Sequence, residues 1–283
     1  MLQSSTRALN FSEWLQAALL VLVAAVLWVI LPDQILHEHV PVNPRQVLKL
    51  AIILAAIQIM GHVVLRSLGP RLGLSLAGLV SGFVSSTATH AAMGAQARDN
   101  ADHSRAFASA AVLSNVATAV QAMLMVSSMA TALWAQFAPY LLAMAGMAVL
   151  CGSIAFVRVP DVQPVADPSR FSLRQVLIFA ALLTAISAVS AFVLHEWGQT
   201  AAWMATGLAA MVDVHVAIAT IASQAPQAEA GVTILLLICL TINAMVKTVI
   251  AWVSAGPSRF AVEVSAYLAL IALAPWVVWL LIH

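Results

Sequence analysis

The sequence predicts an all-α polytopic membrane protein, built from two repeats of about 128 residues and one extra C-terminal helix. Of its 283 residues, 63% are hydrophobic and only 8% are charged, whereas soluble domains carry about 25% charged residues. Nine apolar segments follow one another along the chain, and most have the roughly 20 residues that a helix needs to cross a bilayer. We therefore expect a single transmembrane domain over residues 1–283.

The nine segments are runs of mostly Ala, Val, Leu and Ile, separated by short polar stretches. The third and the seventh are interrupted midway by polar groups, in VSSTATH at 84–90 and VDVH at 212–215. Each of these two begins with about 12 apolar residues and continues with about 10 small or apolar residues. In order, the segments lie near 14–31, 47–67, 72–97, 105–129, 133–157, 172–194, 200–225, 230–254 and 259–282.

The two interrupted segments occupy matched positions in an internal repeat. A shift of 128 residues aligns Ser85 with Asp213 and Thr87 with His215. Discontinuous helices at corresponding positions of two repeats are typical of the central site of a transporter. Other landmarks that the same shift superimposes are Pro32-Asp33 with Pro160-Asp161, Gln96-Ala97 with Gln224-Ala225, and Asn115 with Asn243.

The predicted repeats span about 4–130 and 132–258, and segment 259–282 lies outside them. If the interrupted segments enter and leave on one side, nine arginines share one face against Arg45 and Lys49 on the other. If they cross instead, the basic residues divide 4 to 7. Since basic residues concentrate in cytoplasmic loops, re-entrant helices are favoured, and three crossings per repeat would make the repeats inverted. The alternative is an unwound crossing helix, which would make the repeats parallel.

Polar side chains within the apolar segments are the candidate site residues. Hydroxyl groups at the first break can satisfy backbone groups freed at membrane depth, or they can coordinate a substrate or an ion, and both interpretations are open. The two matched asparagines offer donors as well as an acceptor. The candidate substrate-binding or ion-binding residues are Ser85, Ser86, Thr87, His90, Asn115, Asp213, His215, Asn243 and Lys247.

Asp213 and Lys247 bring formal charge into apolar sequence. An unpaired carboxylate in the membrane costs several kcal/mol, so we expect Asp213 to be paired, protonated or liganded, and to cap the helix that follows it. A structural Asp213–Lys247 ion pair is one interpretation. The other is a functional pair, in which a proton or cation at Asp213 competes with Lys247. His90 and His215 are groups that can titrate, and Asp213 with His215 is the candidate metal-binding pair.

Around GLVSGFVSSTATHAAMGAQAR, at 78–98, the sequence resembles an uncharacterised bacterial membrane family. Members are often the C-terminal part of proteins with an N-terminal MgtC/SapB-type membrane domain. The family's Val-Ser-Ser-Thr-Ala core matches 84–88, and its Asn-x-x-x-Lys motif matches Asn243 and Lys247. Its Asp-Val-Asp motif corresponds to 213–215, where His215 replaces the second acid and argues against a site for a hard cation with two carboxylates. The resemblance implies ion homeostasis, by association with MgtC.

These patterns predict a transporter-like or channel-like protein of the bacterial inner membrane. It would move an inorganic ion, for example a divalent cation, or a small polar solute through a midplane site, coupled to protons or to another ion. The alternatives are an intramembrane enzyme that uses Ser, His and Asp, although no GxSxG elbow surrounds Ser85 or Ser86, and a regulatory membrane subunit that transports nothing. Expected partners are lipid, the ion or solute and further copies of the chain, with no cofactor. The net charge of +1 argues against nucleic acid.

Overall fold

The part of the chain that the computed structural model describes is entirely helical apart from turns, with no strand. It comprises residues 11–34, 43–68, 73–156, 173–224 and 230–283. The helices are α1 (Phe11–Ile30), α2 (Pro44–Leu68), α3 (Leu74–Asp99), α4 (Ser104–Met129), α5 (Thr131–Phe156), α6 (Leu173–Val212), α7 (Val214–Gln224), α8 (Ala230–Ala255) and α9 (Arg259–Ile282), with a short 3-10 turn at Ala101–His103.

Five of these helices, namely α2, α4, α5, α8 and α9, are long and apolar enough to cross a bilayer. The chain is therefore an all-α, multi-pass membrane protein, as predicted. The predicted segments agree with the helices to within a few residues: 105–129 corresponds to Ser104–Met129, and 230–254 to Ala230–Ala255. Residues 4–10 of the first predicted repeat and the landmark at 160–161 lie outside the described residues.

The sixth and seventh predicted segments meet at Gly198. There the backbone has φ 79° and ψ −175°, and this single residue interrupts α6. A positive φ costs glycine little because glycine has no Cβ. The second half of α6, residues 199–212, therefore belongs with α7, and Asp213 separates the two. The predicted polar break of the seventh segment is confirmed at this residue.

The third helix, α3, bends sharply at Ser85, where the backbone is extended, with φ −166° and ψ 107°. The hydroxyls of Ser81 and Thr89, on either side of the bend, lie 2.9 Å apart. Eight residues of straight helix would separate them by about 12 Å along the axis. The two halves of α3, residues 74–84 and 86–99, therefore fold back towards each other, as the re-entrant arrangement requires.

Close packing of small residues fixes the first half of α3 against α4. A Cβ at Gly78 would overlap the backbone of Ala110, and one at Gly82 would overlap the backbone of Ser114. Small residues spaced four apart allow membrane helices to approach this closely. The contacts advance in the same direction along both helices, so the first half of α3 runs parallel to α4.

The second half of α6 packs against α8 in a similar way. The Sγ atom of Cys239 lies 3.9 Å from the carbonyl oxygen of Thr206. At the next residue of α6, a Cβ at Gly207 would touch Ile242, three residues further along α8. Nearer the start of α8, a Cβ at Gly231 would overlap the ring of Trp203, three residues before Thr206. The contacts again advance in the same direction along both helices. The half-helix that precedes each polar break is therefore parallel to the next long helix of the chain.

Helix α4 lies at the centre of the molecule, in contact with α2, α3, α5, α7 and α9. One side of α4 joins an apolar core with α5, α7 and α8, to which Val126, Phe137, Ile218 and Leu236 contribute. On another side of α4, polar side chains face the bend in α3 and the second half of α8. Among the described residues, ten of the fifteen buried polar side chains therefore lie on α3 and α4.

Candidate functional site

The bend at Ser85 is stabilised from both sides by side chains. The Ser85 Oγ atom accepts a hydrogen bond of 3.2 Å from the backbone N–H of Ala88, so Ser85 caps the second half of α3. Before the bend, the carbonyl of Phe83 accepts a hydrogen bond of 3.0 Å from Nε2 of Gln121 on α4. Such a freed carbonyl needs a partner within the protein at membrane depth, and Gln121 supplies one.

Asp213 caps α7, as the sequence predicts. Its Oδ1 atom accepts a hydrogen bond of 2.7 Å from the backbone N–H of His215 and lies 3.0 Å from Nδ1 of the same residue. The N–H of Val216 also faces the carboxylate. Ser85 and Asp213, which are 128 positions apart, therefore both begin a second half-helix.

Three side chains connect the second half of α3 to α4. The Ser86 and Ser114 hydroxyls lie 2.8 Å apart, and Ser114 donates to the carbonyl of Ala111 at 2.6 Å. His90 is fully buried, and its Nδ1–H donates to the carbonyl of Ser86 at 2.9 Å. This bond leaves Nε2 of His90 as a lone-pair acceptor, and it has no hydrogen-bond partner.

The Lys247 ammonium crosses from α8 to α4. Its side chain is buried, with 1% exposure, and Nζ donates to Oδ1 of Asn115 at 2.9 Å and to Oγ1 of Thr118 at 3.2 Å. The amide nitrogen of Asn115 donates to the carbonyl of Val112 at 3.0 Å. This second bond fixes the amide so that its oxygen faces Lys247.

We use the term polar cluster for the buried groups that these contacts join around α4. It comprises Ser86, His90, Ser114, Asn115, Thr118, Gln121 and Lys247.

A direct ion pair between Asp213 and Lys247, one of the two interpretations of the sequence, is not formed. The two groups do not come within 4.0 Å of each other, although they attract each other through space. The Asp213 side chain keeps 35% of its surface exposed, and its Oδ2 atom makes no hydrogen bond to another side chain. The anion and the cation of this site are therefore held apart, each by partners of its own.

Several predicted site residues have unused hydrogen-bonding capacity. Asn243 lies one helical turn from Lys247, is 6% exposed and makes no side-chain hydrogen bond within the described ranges. Nε2 of His215 is buried without a partner, like that of His90. Thr87 differs from these residues because it lies on the exposed side of α3. Within the described part of the chain, no three His, Cys, Asp or Glu side chains are grouped so that they could hold a metal.

Sequence reasoning missed three members of the polar cluster, all on α4. Ser114, Thr118 and Gln121 follow one another at intervals of four and three residues, which places them on one face of a helix together with Asn115. This spacing was a usable signal. The signal was overlooked because single Ser, Thr and Gln residues are common in apolar helices. The two asparagines, in contrast, were noticed because they occupy matched positions in the repeat.

Comparison with known families gives one match. A family model with the description "Domain of unknown function (DUF4010)" matches residues 52–255. No curated protein and no solved structure matches the chain.

Proposed function

The chain belongs to the DUF4010 family, and we propose from its polar cluster that it is a transporter-like or channel-like membrane protein. It moves an inorganic ion or a small polar solute through a site between the two helix breaks, coupled to a proton or to a second ion. By composition and resemblance, the membrane is the bacterial inner membrane.

The observation that carries this proposal is the separation of Asp213 from Lys247. Burying a charge in the membrane is costly, and the cost falls when opposite charges pair directly. A purely structural pair would therefore be in contact. Here Lys247 is held by neutral acceptors, and Asp213 keeps an oxygen free of side-chain partners. An oxygen without a side-chain partner suits a proton or a cation that binds and leaves.

The arrangement of the half-helices supports an alternating-access mechanism. Both polar breaks begin a capped half-helix, and in both cases the preceding half-helix packs parallel to the next long helix. We infer that the chain contains the predicted duplication and that its repeats are inverted. In transporters of that architecture, one repeat rocks against the other around a fixed site at their interface.

In this proposal Asp213 binds the ion or the coupling proton, and Lys247 is its counter-charge. The described residues of the polar cluster supply one ammonium and no second carboxylate. With Asp213 and Lys247 both charged, a bound proton or singly charged cation leaves one net positive charge, whereas a doubly charged ion leaves two, so the cost of charge in a low-dielectric site favours the former. Of the remaining predicted residues, His90, His215 and Asn243 have unused hydrogen-bonding capacity and are the further ligands of this proposal.

A regulatory subunit that transports nothing would be expected to satisfy its polar groups internally. The unpartnered Nε2 atoms of His90 and His215 and the unpartnered amide of Asn243 favour a site with exchangeable contents over that alternative. An intramembrane hydrolase would need a serine hydroxyl beside a histidine base. The Ser85 hydroxyl caps a helix instead. The Ser114 hydroxyl lies 3.4 Å from Nδ1 of His90, but this nitrogen donates its hydrogen to the carbonyl of Ser86 and so cannot act as the base for Ser114.

Flux into proteoliposomes tests the proposal. The panel should contain Li⁺, Na⁺, K⁺, Mg²⁺, Mn²⁺ and neutral polar solutes, with a trapped pH indicator to report coupled proton movement. We expect one of these fluxes above that of empty liposomes in wild type and its loss in Asp213→Asn. Glu196→Gln makes the same chemical change at an exposed acid on α6 and should retain the flux. Equal flux in wild type and Asp213→Asn would remove Asp213 from the mechanism.

A further inference from the structure

We propose that Asn115 and Thr118 form a docking site for the Lys247 ammonium, and that Lys247 exchanges between this docking site and the Asp213 carboxylate. In the resting state Lys247 is docked and the Asp213 carboxylate is open to its ion or proton. In a second, less populated state Lys247 pairs with Asp213 and excludes that ligand. This inference rests on the proposed function and adds to it a positioning role for two residues on α4.

The docking site is built from two acceptors and no charge. Oδ1 of Asn115 and Oγ1 of Thr118 lie 2.9 and 3.2 Å from Nζ of Lys247, and both residues are 1% exposed. Hydrogen bonds from Asn115 to backbone carbonyls prevent its amide from flipping and presenting donors to the ammonium. Neutral acceptors of this kind hold an ammonium without neutralising it, so its attraction to a nearby carboxylate persists.

Asp213 is the other position for the ammonium. It attracts Lys247 through space, and its Oδ2 atom has no side-chain partner. Lys247 has four rotatable carbon–carbon bonds in its side chain, so the ammonium can move while α8 stays in place. The other titratable groups at this site are His215, bonded to Asp213, and His90, which lies within electrostatic range of Lys247. Neither histidine accepts a hydrogen bond from Lys247 in the docked position.

The exchange changes which helices are joined. In the docked position, Lys247 makes the side-chain hydrogen bonds that connect α4 with α8 among the described residues. After the move it would connect α8 with the start of α7, and α4 would be released. Because α4 lies in the first predicted repeat and α7 and α8 lie in the second, ligand binding at Asp213 would control the polar contact between the two halves.

A double-mutant cycle between Asp213→Asn and Lys247→Met tests this exchange without knowledge of the ligand. The cycle is measured as apparent Tm in detergent at low salt, first in the wild-type background and then in the background of Asn115→Leu with Thr118→Val. We expect losses in Tm that add to within about 2 °C in the wild-type background, since the charges are apart. In the second background Lys247 should pair with Asp213, and the losses should deviate from additivity by more than about 4 °C.

Asn115→Asp is the opposite control, because it strengthens the docking site instead of removing it. A carboxylate at this position should hold Lys247 permanently, so the 213–247 cycle in this background should be additive. If Asn115→Leu with Thr118→Val does not fold, Thr118→Val alone removes one acceptor with little change of shape and should give a smaller deviation in the same direction. A deviation that is the same in all backgrounds means that Lys247 does not exchange, and it overturns this proposal. Loss of flux in Asp213→Asn would still stand in that case, so the two proposals fail separately.

Discussion

Replacing Gly82 by alanine should weaken the packing that holds the bend of α3 against α4. The added Cβ would lie 2.6 Å from the carbonyl oxygen of Ser114 and 2.8 Å from its Cα, and backbone atoms cannot rotate away as side-chain ends can. Overpacking typically costs 1–3 kcal/mol, and contact with backbone places this substitution near 3 kcal/mol. Alanine offsets about 1 kcal/mol of that loss through its better helix propensity. The net loss is about 2 kcal/mol.

The assay is the apparent Tm of the purified protein in detergent, followed by intrinsic tryptophan fluorescence. A loss of about 2 kcal/mol corresponds to a Tm lower by roughly 4–8 °C for a chain of this size. Gly146→Ala on α5 is the matched control, because a Cβ at Gly146 would meet nothing within 4 Å. It should leave the Tm unchanged or raise it. If Gly82→Ala were as stable as Gly146→Ala, the close parallel packing of α3 on α4 would be wrong.

Two further substitutions separate the parts of the site. Gln121→Leu should lower the stability by about 1–3 kcal/mol, because the carbonyl of Phe83 loses its partner away from water; an unchanged Tm would mean that another group satisfies this carbonyl. Asp213→Ala should accelerate hydrogen exchange of the His215 N–H relative to wild type, since the cap of α7 is lost. Asp213→Asn keeps an acceptor at the cap and should exchange like wild type, and rapid exchange in this variant would show that the cap requires the charge.

The fold was largely readable from hydrophobic patterning. Runs such as 230–254 left few choices for where α8 begins and ends, because an apolar run of that length is stable only as a helix in the bilayer. Polar groups in apolar sequence also located both breaks, since Ser85 and Asp213 are residues that cap helices. The break at Gly198 could not be located in this way, because nothing in the sequence distinguishes this glycine from the other glycines in apolar helices.

The partner of Lys247 was the least predictable feature of the site. From formal charge alone, Asp213 is the expected partner of Lys247. The sequence, however, carries no information on the distance between α7 and α8. Helix packing places the amide of Asn115 and the hydroxyl of Thr118 nearer to the ammonium. Side-chain partners across helices depend on rotation and depth of each helix, which patterning specifies only to within a residue or two.

Binding of the transported ion, measured as thermal stabilisation of the purified protein, tests most directly whether Asp213 is its binding group. At 100 times its Kd, a ligand stabilises the folded state by about 2.7 kcal/mol, or roughly 5–10 °C in Tm for this size. The account predicts that the ion identified by flux stabilises wild type and Glu196→Gln by that amount and leaves the Tm of Asp213→Asn unchanged. Equal stabilisation of Asp213→Asn and wild type would contradict it.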